Sequence, residues 1–245
     1  MNNKYFAPLF LVLVIALTSG CAHAKKEKTI MYQYSTRNAF NSGVYSGELT
    51  PQELKKHGNF GTGTFNGVDG EMILLDGVSY QAKEDGRIIK VKKGIEIPFA
   101  DVNYFEPSIN ASLEKPLSLK ELTEYLDLLI PDKNLIYAIK VDGEFATADT
   151  RAIEKQKEPY TPFEEVMKNQ HLNKFNGIKG TLVGYYFPDY MKEITSGGYH
   201  FHFISRDRKR GGHLLDCNIT SGEIRINQVD GMHLEFNEVK NLTIK

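Results

Sequence analysis

The sequence comprises 245 residues, of which 41% are hydrophobic and 25% are charged, and its formal net charge is -1. A chain of this length and composition can bury a full hydrophobic core, so we expect an ordinary globular protein. A formal net charge of -1 gives no reason to expect nucleic acid, and we therefore expect no nucleic-acid partner.

Residues 1–24 are predicted to be a removable signal peptide. An apolar run from Tyr5 to Leu17 follows Lys4 and precedes the small residues 18–20. This run is too short to span a bilayer comfortably, which favours a secretory signal over a transmembrane helix. We therefore expect the protein to leave the cytoplasm.

Two cleavage sites fit this signal. Residues 17–21, Leu-Thr-Ser-Gly-Cys, are similar to a bacterial lipobox, although Leu17 lies one position early. Cleavage there would leave Cys21 as a lipidated N-terminus attached to a membrane. Alternatively, residues 22–24, Ala-His-Ala, are a cleavage site that releases a soluble protein beginning at Lys25. We favour an exported lipoprotein, periplasmic or on the cell surface, over the secreted form.

The first part of the remaining domain, residues 25–245, is predicted to be rich in strands. In the block 60–104, Glu71 begins an apolar strand between Asp-Gly turn signals at 69–70 and 76–77. A single glutamate at a strand end is usually solvated. The functional interpretation places its carboxylate near a metal as an acid, a base or a ligand.

The middle of the chain is predicted to hold a helix followed by a β-hairpin. A capping box begins the helix over residues 117–130, which carries an apolar stripe of leucines. The apolar strand 135–141 is followed by Asp-Gly at 142–143, which predicts a turn, and the returning strand 145–153 carries Arg151. A guanidinium there can pair with a substrate carboxylate, although a surface arginine is the alternative interpretation.

Three histidines near the C-terminus predict a metal site. Residues 199–204 alternate as a β-strand, so His200 and His202 point to one face. Gly-Gly at 211–212 is a turn signal, after which His213 can return on the neighbouring strand and bring a third imidazole alongside. Three neutral imidazoles leave coordination positions open on Zn²⁺, which is typical of a catalytic site.

Other interpretations of these residues stay open. A His-x-His pair on a strand is often only a pair of hydrogen-bonded, partly buried side chains. Divalent iron, manganese, copper or nickel could occupy the same nitrogens, because affinity order alone does not select the metal. Cys217 on the following strand is interpreted as a small buried residue and not as a ligand.

Six sequence blocks, in this order, resemble the alpha-acetolactate decarboxylases, a family that converts 2-acetolactate to acetoin and carbon dioxide using zinc. The resemblance extends from about Tyr32 to Glu235. Any one block is weak, but six in register form a specific pattern. The blocks are Gly61 to Glu71, Asn134 to Gly143, Thr150-Arg151 with 156–160, Lys168 to Gln170, Gly180 to Gly184, and Gly198 to Ile204 with Gly211 to His213.

The resemblance implies roles for individual residues. It implies that three histidines hold Zn²⁺, that Glu71 and Arg151 are catalytic beside it, and that Thr64 contacts the substrate 2-acetolactate. In the implied reaction zinc stabilises the enediolate left by decarboxylation. Arg151 would pair with the departing carboxylate or the developing oxyanion, and Glu71 would relay or position a proton. The implied metal ligands are His200, His202 and His213.

The resemblance also implies an α+β fold that is mostly β. A mixed N-terminal sheet is expected to be linked to a small antiparallel β-barrel carrying the metal hairpin, and a homodimer is left open. Family members return a second glutamate to the metal from a C-terminal tail, and Glu235 and Glu238 lie outside the segment that would match it. Two other functions stay open: a zinc lyase or hydratase of different specificity, and an exported lipoprotein that binds metal without turnover.

Overall fold

The computed structural model describes residues 27–237. The predicted signal peptide, Cys21 and Glu238 lie outside these residues, so the predictions about them stay predictions. Most of the described chain is organised as two β-sheets that pack against each other.

The first sheet has seven strands in the order β13-β1-β6-β2-β3-β4-β5. The C-terminal strand β13 lies parallel to β1 at the sheet edge, whereas the other neighbours are antiparallel. The predicted mixed sheet is therefore confirmed, and its last strand comes from the far end of the chain. The strands are β1 Ile30–Tyr34, β2 Phe60–Thr64, β3 Glu71–Leu75, β4 Val78–Ala82, β5 Ile88–Lys90, β6 Phe99–Asn103 and β13 Gly231–Glu235.

The second sheet has six strands, and its three longest form its centre in the order β10-β9-β12. Strand β11 flanks β10, while β7 and β8 both pair with β12. The strands are β7 Ile109–Leu113, β8 Leu117–Ser118, β9 Ile136–Ala152, β10 His171–Phe187, β11 Gly198–Ser205 and β12 Gly211–Val229.

Strands β9 to β12 pair in a closed cycle, because β11 hydrogen-bonds to β12 as well as to β10. The contact that closes the cycle covers three residue pairs, from His202 with His213 to Ile204 with Gly211. Most of β12 continues instead along β9. The predicted small barrel is thus not confirmed, although the metal hairpin does lie in this second sheet.

The Asp-Gly turn predicted at 142–143 is wrong, because β9 runs through it as one strand of 17 residues. Gly143 serves a different purpose: a Cβ built there would lie 2.5 Å from the carbonyl oxygen of Ser221 on β12. A glycine within a strand often marks a close approach of a neighbouring backbone, as it does here.

Within residues 27–237, four short α-helices and one 3₁₀ helix connect the strands. The capping box predicted for the longest helix is confirmed: Ser118 accepts from the Glu121 backbone N–H, and the Glu121 carboxylate accepts from the Ser118 N–H. This helix buries Leu122 and Leu126 against the second sheet. The helices are α1 Arg37–Asn41, α2 Pro51–Leu54, α3 Leu119–Leu129, α4 Phe163–Met167 and the 3₁₀ helix Asp189–Met191.

Apolar side chains from both sheets meet in the interior. Met31, Phe60 and Ile73 of the first sheet pack with Val183 and Tyr185 of the second. Each such side chain contributes about 1.5–3 kcal/mol to stability when it is fully buried, so this contact fixes how the sheets face each other.

None of the helices within residues 27–237 has the length and hydropathy of a membrane-spanning helix.

Candidate active site

The three histidines lie together in the second sheet. His200 and His202 are on the same face of β11, while Phe201 and Phe203 point to the opposite core, as the alternation predicts. His213 on β12 is directly opposite His202 in the antiparallel register. Side chains of directly opposed residues share one face of a sheet, so all three imidazoles point toward the first sheet.

The Gly-Gly pair that was interpreted as the hairpin turn belongs to strand β12. The chain reverses earlier, over residues 206–210, where Arg208 adopts a positive φ of 58°. Gly212 instead lets the strands approach closely, since a Cβ there would lie 2.8 Å from the Arg151 carbonyl oxygen. The hairpin prediction is confirmed and the role given to its glycines is wrong.

The histidine cluster has the spacing of a metal-binding site. One ring nitrogen of each histidine lies within 4.8 Å of those of the other two. The ring centroids are 5.0 Å apart for His200 with His202, 5.0 Å for His200 with His213, and 5.4 Å for His202 with His213. Histidine, cysteine and acidic side chains are the usual metal ligands, and among the described residues these three histidines are the group close enough together to hold a metal ion.

Desolvation favours the neutral form of these three imidazoles. Desolvation is the main cause that lowers the pKa of all three histidines, and for His200 and His213 the pKa falls well below the usual value. Neighbouring positive charge also lowers the pKa of His213, chiefly through Arg151. Neutral imidazole is the form that coordinates a metal. The environment therefore favours the ligand form of each ring.

Hydrogen bonding of the ring nitrogens also fits a metal. His202 Nδ1 lies 2.8 Å from the Met72 carbonyl oxygen, which can accept the Nδ1 proton and leave the Nε2 lone pair free. His200 Nδ1 is buried without a hydrogen-bond partner among the described residues. A buried nitrogen without a partner is costly unless something binds it. Imidazole nitrogens are ligands that suit a borderline metal ion such as Zn²⁺.

Glu71 and Arg151 are brought to this cluster from different sheets. Arg151, near the end of β9, is directly opposite His213 on β12, and Glu71 begins β3 of the first sheet. Arg151 Nη1 donates to Glu71 Oε1 at 3.2 Å, with both side chains almost fully buried. The other carboxylate oxygen, Oε2, lies 3.5 Å from His202 Nε2. Both residues therefore lie beside the three histidines and neither is on the surface, and their catalytic roles stay predictions.

Thr64 is directly opposite Glu71 across the β2–β3 hairpin. Its hydroxyl donates to the Gly70 carbonyl oxygen at 2.7 Å, which ties down the turn before Glu71. The side chain lines the cavity with the histidines. Its oxygen keeps lone pairs free to accept a hydrogen bond, and its role in substrate binding stays a prediction.

The cavity enclosed by these residues is small. It has a volume of about 30 Å³, compared with about 720 Å³ for a surface cleft beside α3 that contains none of them. A space of this size holds about two water molecules, so a larger ligand requires side chains around it to move. We identify the smaller cavity as the site, because the convergent ionisable groups lie there.

Several residues that line this cavity were not predicted from the sequence, among them Arg37 and Phe40 of α1 and Phe163 of α4. Both helices are only five residues long, which is too short for an apolar periodicity to appear in the sequence. The signal that could have identified α1 is Thr36, whose Oγ1 accepts from the Ala39 N–H as an N-cap.

Two other residues considered from the sequence lie away from the cluster. Glu235 at the end of β13 accepts a hydrogen bond from the Tyr32 hydroxyl at 2.8 Å and does not line the cavity. It therefore does not replace the second glutamate that the resemblance implies. Cys217 is a buried free thiol, as predicted, and burial raises its pKa to about 12.

Comparisons with known proteins identify the family to which this chain is similar. The family model for alpha-acetolactate decarboxylase matches residues 31–243. An alpha-acetolactate decarboxylase of Methanosarcina mazei is 44% identical over 194 residues, which is 79% of this chain and 67% of that protein. One of Klebsiella aerogenes is 38% identical over 213 residues, 87% of this chain and 82% of that protein.

The fold agrees as well. The crystal structure of alpha-acetolactate decarboxylase from Bacillus subtilis strain 168 superposes with a TM-score of 0.84 at 35% identity, covering 86% of this chain and 91% of that chain. The family match, the relatives and the shared fold all cover most of the chain, and the chain belongs to the alpha-acetolactate decarboxylase family.

Proposed function

We propose that this protein converts 2-acetolactate to acetoin and carbon dioxide, with zinc held by His200, His202 and His213. The observation that carries the proposal is the convergence of three neutral imidazoles with a buried Glu71–Arg151 pair in one cavity. Family membership supplies the substrate class, since curated relatives with this name cover most of the chain. A metal-dependent carboxy-lyase is the activity that these groups support best.

Decarboxylation of a β-keto acid leaves an electron pair on the carbon that loses carbon dioxide. A divalent ion, when bound, supplies Lewis acidity that favours the resulting negative charge. The residues of this chain orient the substrate, complement the charge and deliver a proton. Interactions that strengthen as charge develops are the ones that accelerate the step.

Arg151 is suited to complement that charge. Its guanidinium is held by the Glu71 carboxylate at 3.2 Å and is almost fully buried, so it needs little reorganisation during the reaction. Burial lowers the pKa of Arg151 and Glu71 opposes that effect. An arginine remains protonated even so, and its remaining N–H groups can donate to an oxyanion.

Glu71 is suited to position the proton that completes acetoin. One carboxylate oxygen is occupied by Arg151, and the other lies 3.5 Å from His202 Nε2 and lines the cavity. A carboxyl group within reach of the reacting carbon can protonate it directly or through one water. Because Arg151 holds Glu71 in one orientation, the proton would reach only one face of the reacting carbon.

An acetoin assay on the purified chain, with and without a chelator, tests the proposal. We expect about one zinc per chain, acetoin from racemic 2-acetolactate, and loss of acetoin on chelation that added Zn²⁺ restores. Zinc binding without acetoin would contradict the proposal and favour the metal-binding lipoprotein. If the protein hydrates carbon dioxide or hydrolyses esters and forms no acetoin, a different zinc enzyme is favoured.

We propose in addition that the protein is exported and lipidated at Cys21, which lies outside residues 27–237. The lipobox-like residues 17–21 support this proposal. Metabolic labelling with a fatty acid should mark the wild type and not Cys21→Ser. A mature chain whose mass corresponds to a start at Lys25 would contradict lipidation and favour the secreted form.

A further inference from the structure

One charged side chain of the cavity, Arg37, has no hydrogen-bonding or ion-pair partner among residues 27–237. Arg37 begins α1, and its backbone N–H donates to the Ile194 carbonyl oxygen at 2.9 Å. Its guanidinium makes no hydrogen bond and no ion pair within residues 27–237. A guanidinium carries five N–H donors in a planar fork that matches a carboxylate. Those donors are therefore available to a ligand.

Aromatic rings hold this guanidinium in place. Its Cζ lies 5.5 Å from the centre of the Phe40 ring and 5.0 Å from the centre of the Phe163 ring. Both rings are buried, and Arg151 Cζ lies 5.9 Å from the same Phe163 ring. Aromatic contacts of this kind stabilise a cation without using its N–H donors. Arg37 is thus positioned beside Arg151 with its hydrogen-bonding capacity free.

The charges of the cavity favour one additional anion. Its charged side chains in the described chain are Arg37, Arg151 and Glu71, and the three histidines are neutral. Arg151 is paired with Glu71, whereas Arg37 has no counter-ion among these residues. Burial and the charge of Arg151 lower the pKa of Arg37, while Glu71 and Asp101 oppose that decrease without forming an ion pair with its guanidinium. A monoanionic ligand would supply the ion-pair partner that Arg37 does not have among residues 27–237.

We infer that Arg37 binds the carboxylate of the substrate. This inference rests on the proposed function, because 2-acetolactate is a monoanion whose charge resides on the carboxylate that is lost. The two arginines then have different roles. Arg37 binds the carboxylate, whereas Arg151 donates hydrogen bonds to the oxygens that gain negative charge and Glu71 positions the proton. Arg37 is partly exposed whereas Arg151 is buried, so Arg37 lies on the solvent side of the pair.

The chemistry predicts how Arg37 acts on the kinetics. When the bond between the carboxylate carbon and its neighbour breaks, the electron pair stays on the neighbour and carbon dioxide leaves uncharged. The contact with Arg37 is therefore strongest before the reaction and weakens during it. An interaction that does not strengthen in the transition state lowers KM more than it raises kcat.

The first experiment measures kcat and KM for 2-acetolactate with Arg37→Gln, Arg37→Lys and the control Arg206→Gln. Arg206 is an exposed arginine outside the cavity, so its variant removes one positive charge elsewhere. We expect Arg37→Gln to raise KM about 10- to 100-fold, as for a lost charge-assisted hydrogen bond, and to change kcat less than about threefold. Arg37→Lys should recover part of the loss, and the control should match the wild type.

The second experiment measures binding by calorimetry without turnover. The probes are 2-hydroxy-2-methylpropanoate, which has the carboxylate but no ketone, and acetoin, which has the ketone but no carboxylate. Arg37→Gln should weaken binding of the hydroxy acid about tenfold or more and leave acetoin binding unchanged. Unchanged hydroxy-acid binding, or equal weakening of both probes, overturns the inference.

Failure of this inference is distinguishable from failure of the proposed function. A wild type that makes acetoin, with Arg37→Gln and Arg37→Lys both at wild-type KM, refutes the role of Arg37 alone. A wild type that makes no acetoin refutes the proposed function. Should Arg37→Gln fail to fold, as judged by thermal unfolding, the Arg37→Lys variant and the two probes decide the question.

Discussion

Two of the ion pairs formed by residues of strand β9 lie in opposite environments, and the difference between them shows what burial does to charge. At one end, Arg151 pairs with Glu71 across the two sheets with side chains 8% and 10% exposed. In the middle, Glu144 pairs with Lys179 of the neighbouring strand with side chains 53% and 55% exposed. The exposed pair lies in a medium of high dielectric constant and contributes little to stability. The buried pair is held in a fixed geometry, which suits a role in catalysis.

The largest effect is expected beside the buried pair, from His202→Ala. Loss of one imidazole removes a third of the proposed ligand set, so we expect metal content to fall below detection and activity to fall at least about 100-fold. Metal analysis and the acetoin assay measure both. The control is His171→Ala, an exposed histidine at the start of β10. Retained metal in His202→Ala would contradict the proposed ligand set.

Arg151→Ala tests the buried ion pair itself. We expect it to retain the metal and to lose about 100-fold or more in kcat, because a positioned charge that stabilises developing negative charge is removed. Its Glu71 partner is then buried without a cation, which costs about 3–5 kcal/mol of stability. Metal content, kcat and urea unfolding are the measurements. Full activity of Arg151→Ala would show that this pair has no role in turnover.

Asp101 extends the comparison to a buried carboxylate that has no partner. It is fully buried on β6, and both its oxygens lack hydrogen-bond partners among the described residues. Burial raises its pKa to about 7, against the opposing charge of Arg37. The unfolded carboxyl ionises near pH 4 while the native one stays protonated, so stability falls as the pH rises from about 4 to about 7.

Asp101→Asn removes that titration. Relative to the wild type, the variant should gain about 3 kcal/mol more stability at pH 8 than at pH 4.5, because a shift of one pKa unit corresponds to about 1.4 kcal/mol. Urea unfolding of both proteins at the two pH values measures the difference. A gap that is the same at both pH values would mean that Asp101 is ionised in the native protein throughout.

The smallest effect is expected at the exposed pair. Lys179→Ala and Glu144→Ala should each cost less than about 1 kcal/mol, and their coupling in a double-mutant cycle should fall further in high salt. Acetoin formation should not change, because both residues lie outside the cavity. A coupling as large as that of Arg151 with Glu71 would contradict the view that burial distinguishes the two pairs.

The local elements were largely predictable from the sequence. The alternation of residues 199–204 placed two histidines on one face, and the Ser118 capping box located the start of α3. Two dipeptides that contain glycine predicted turns that the structure does not have. The pairs at 142–143 and 211–212 resembled turns, but Gly143 and Gly212 lie inside strands, where they permit close backbone approach. A glycine needed for a turn and one needed for a close contact look identical until the partner strand is known.

What the sequence alone determined was the set of reactive side chains and the strands that carry them, because strand periodicity is a local property. The family resemblance drew its residues from blocks far apart in the chain, without showing how close they come. Only the tertiary structure decided that Glu71 reaches Arg151 at 3.2 Å from another sheet, and that Arg37 from a five-residue helix enters the same cavity. Contacts between residues distant in sequence depend on how the two sheets pack, and local sequence does not encode that packing.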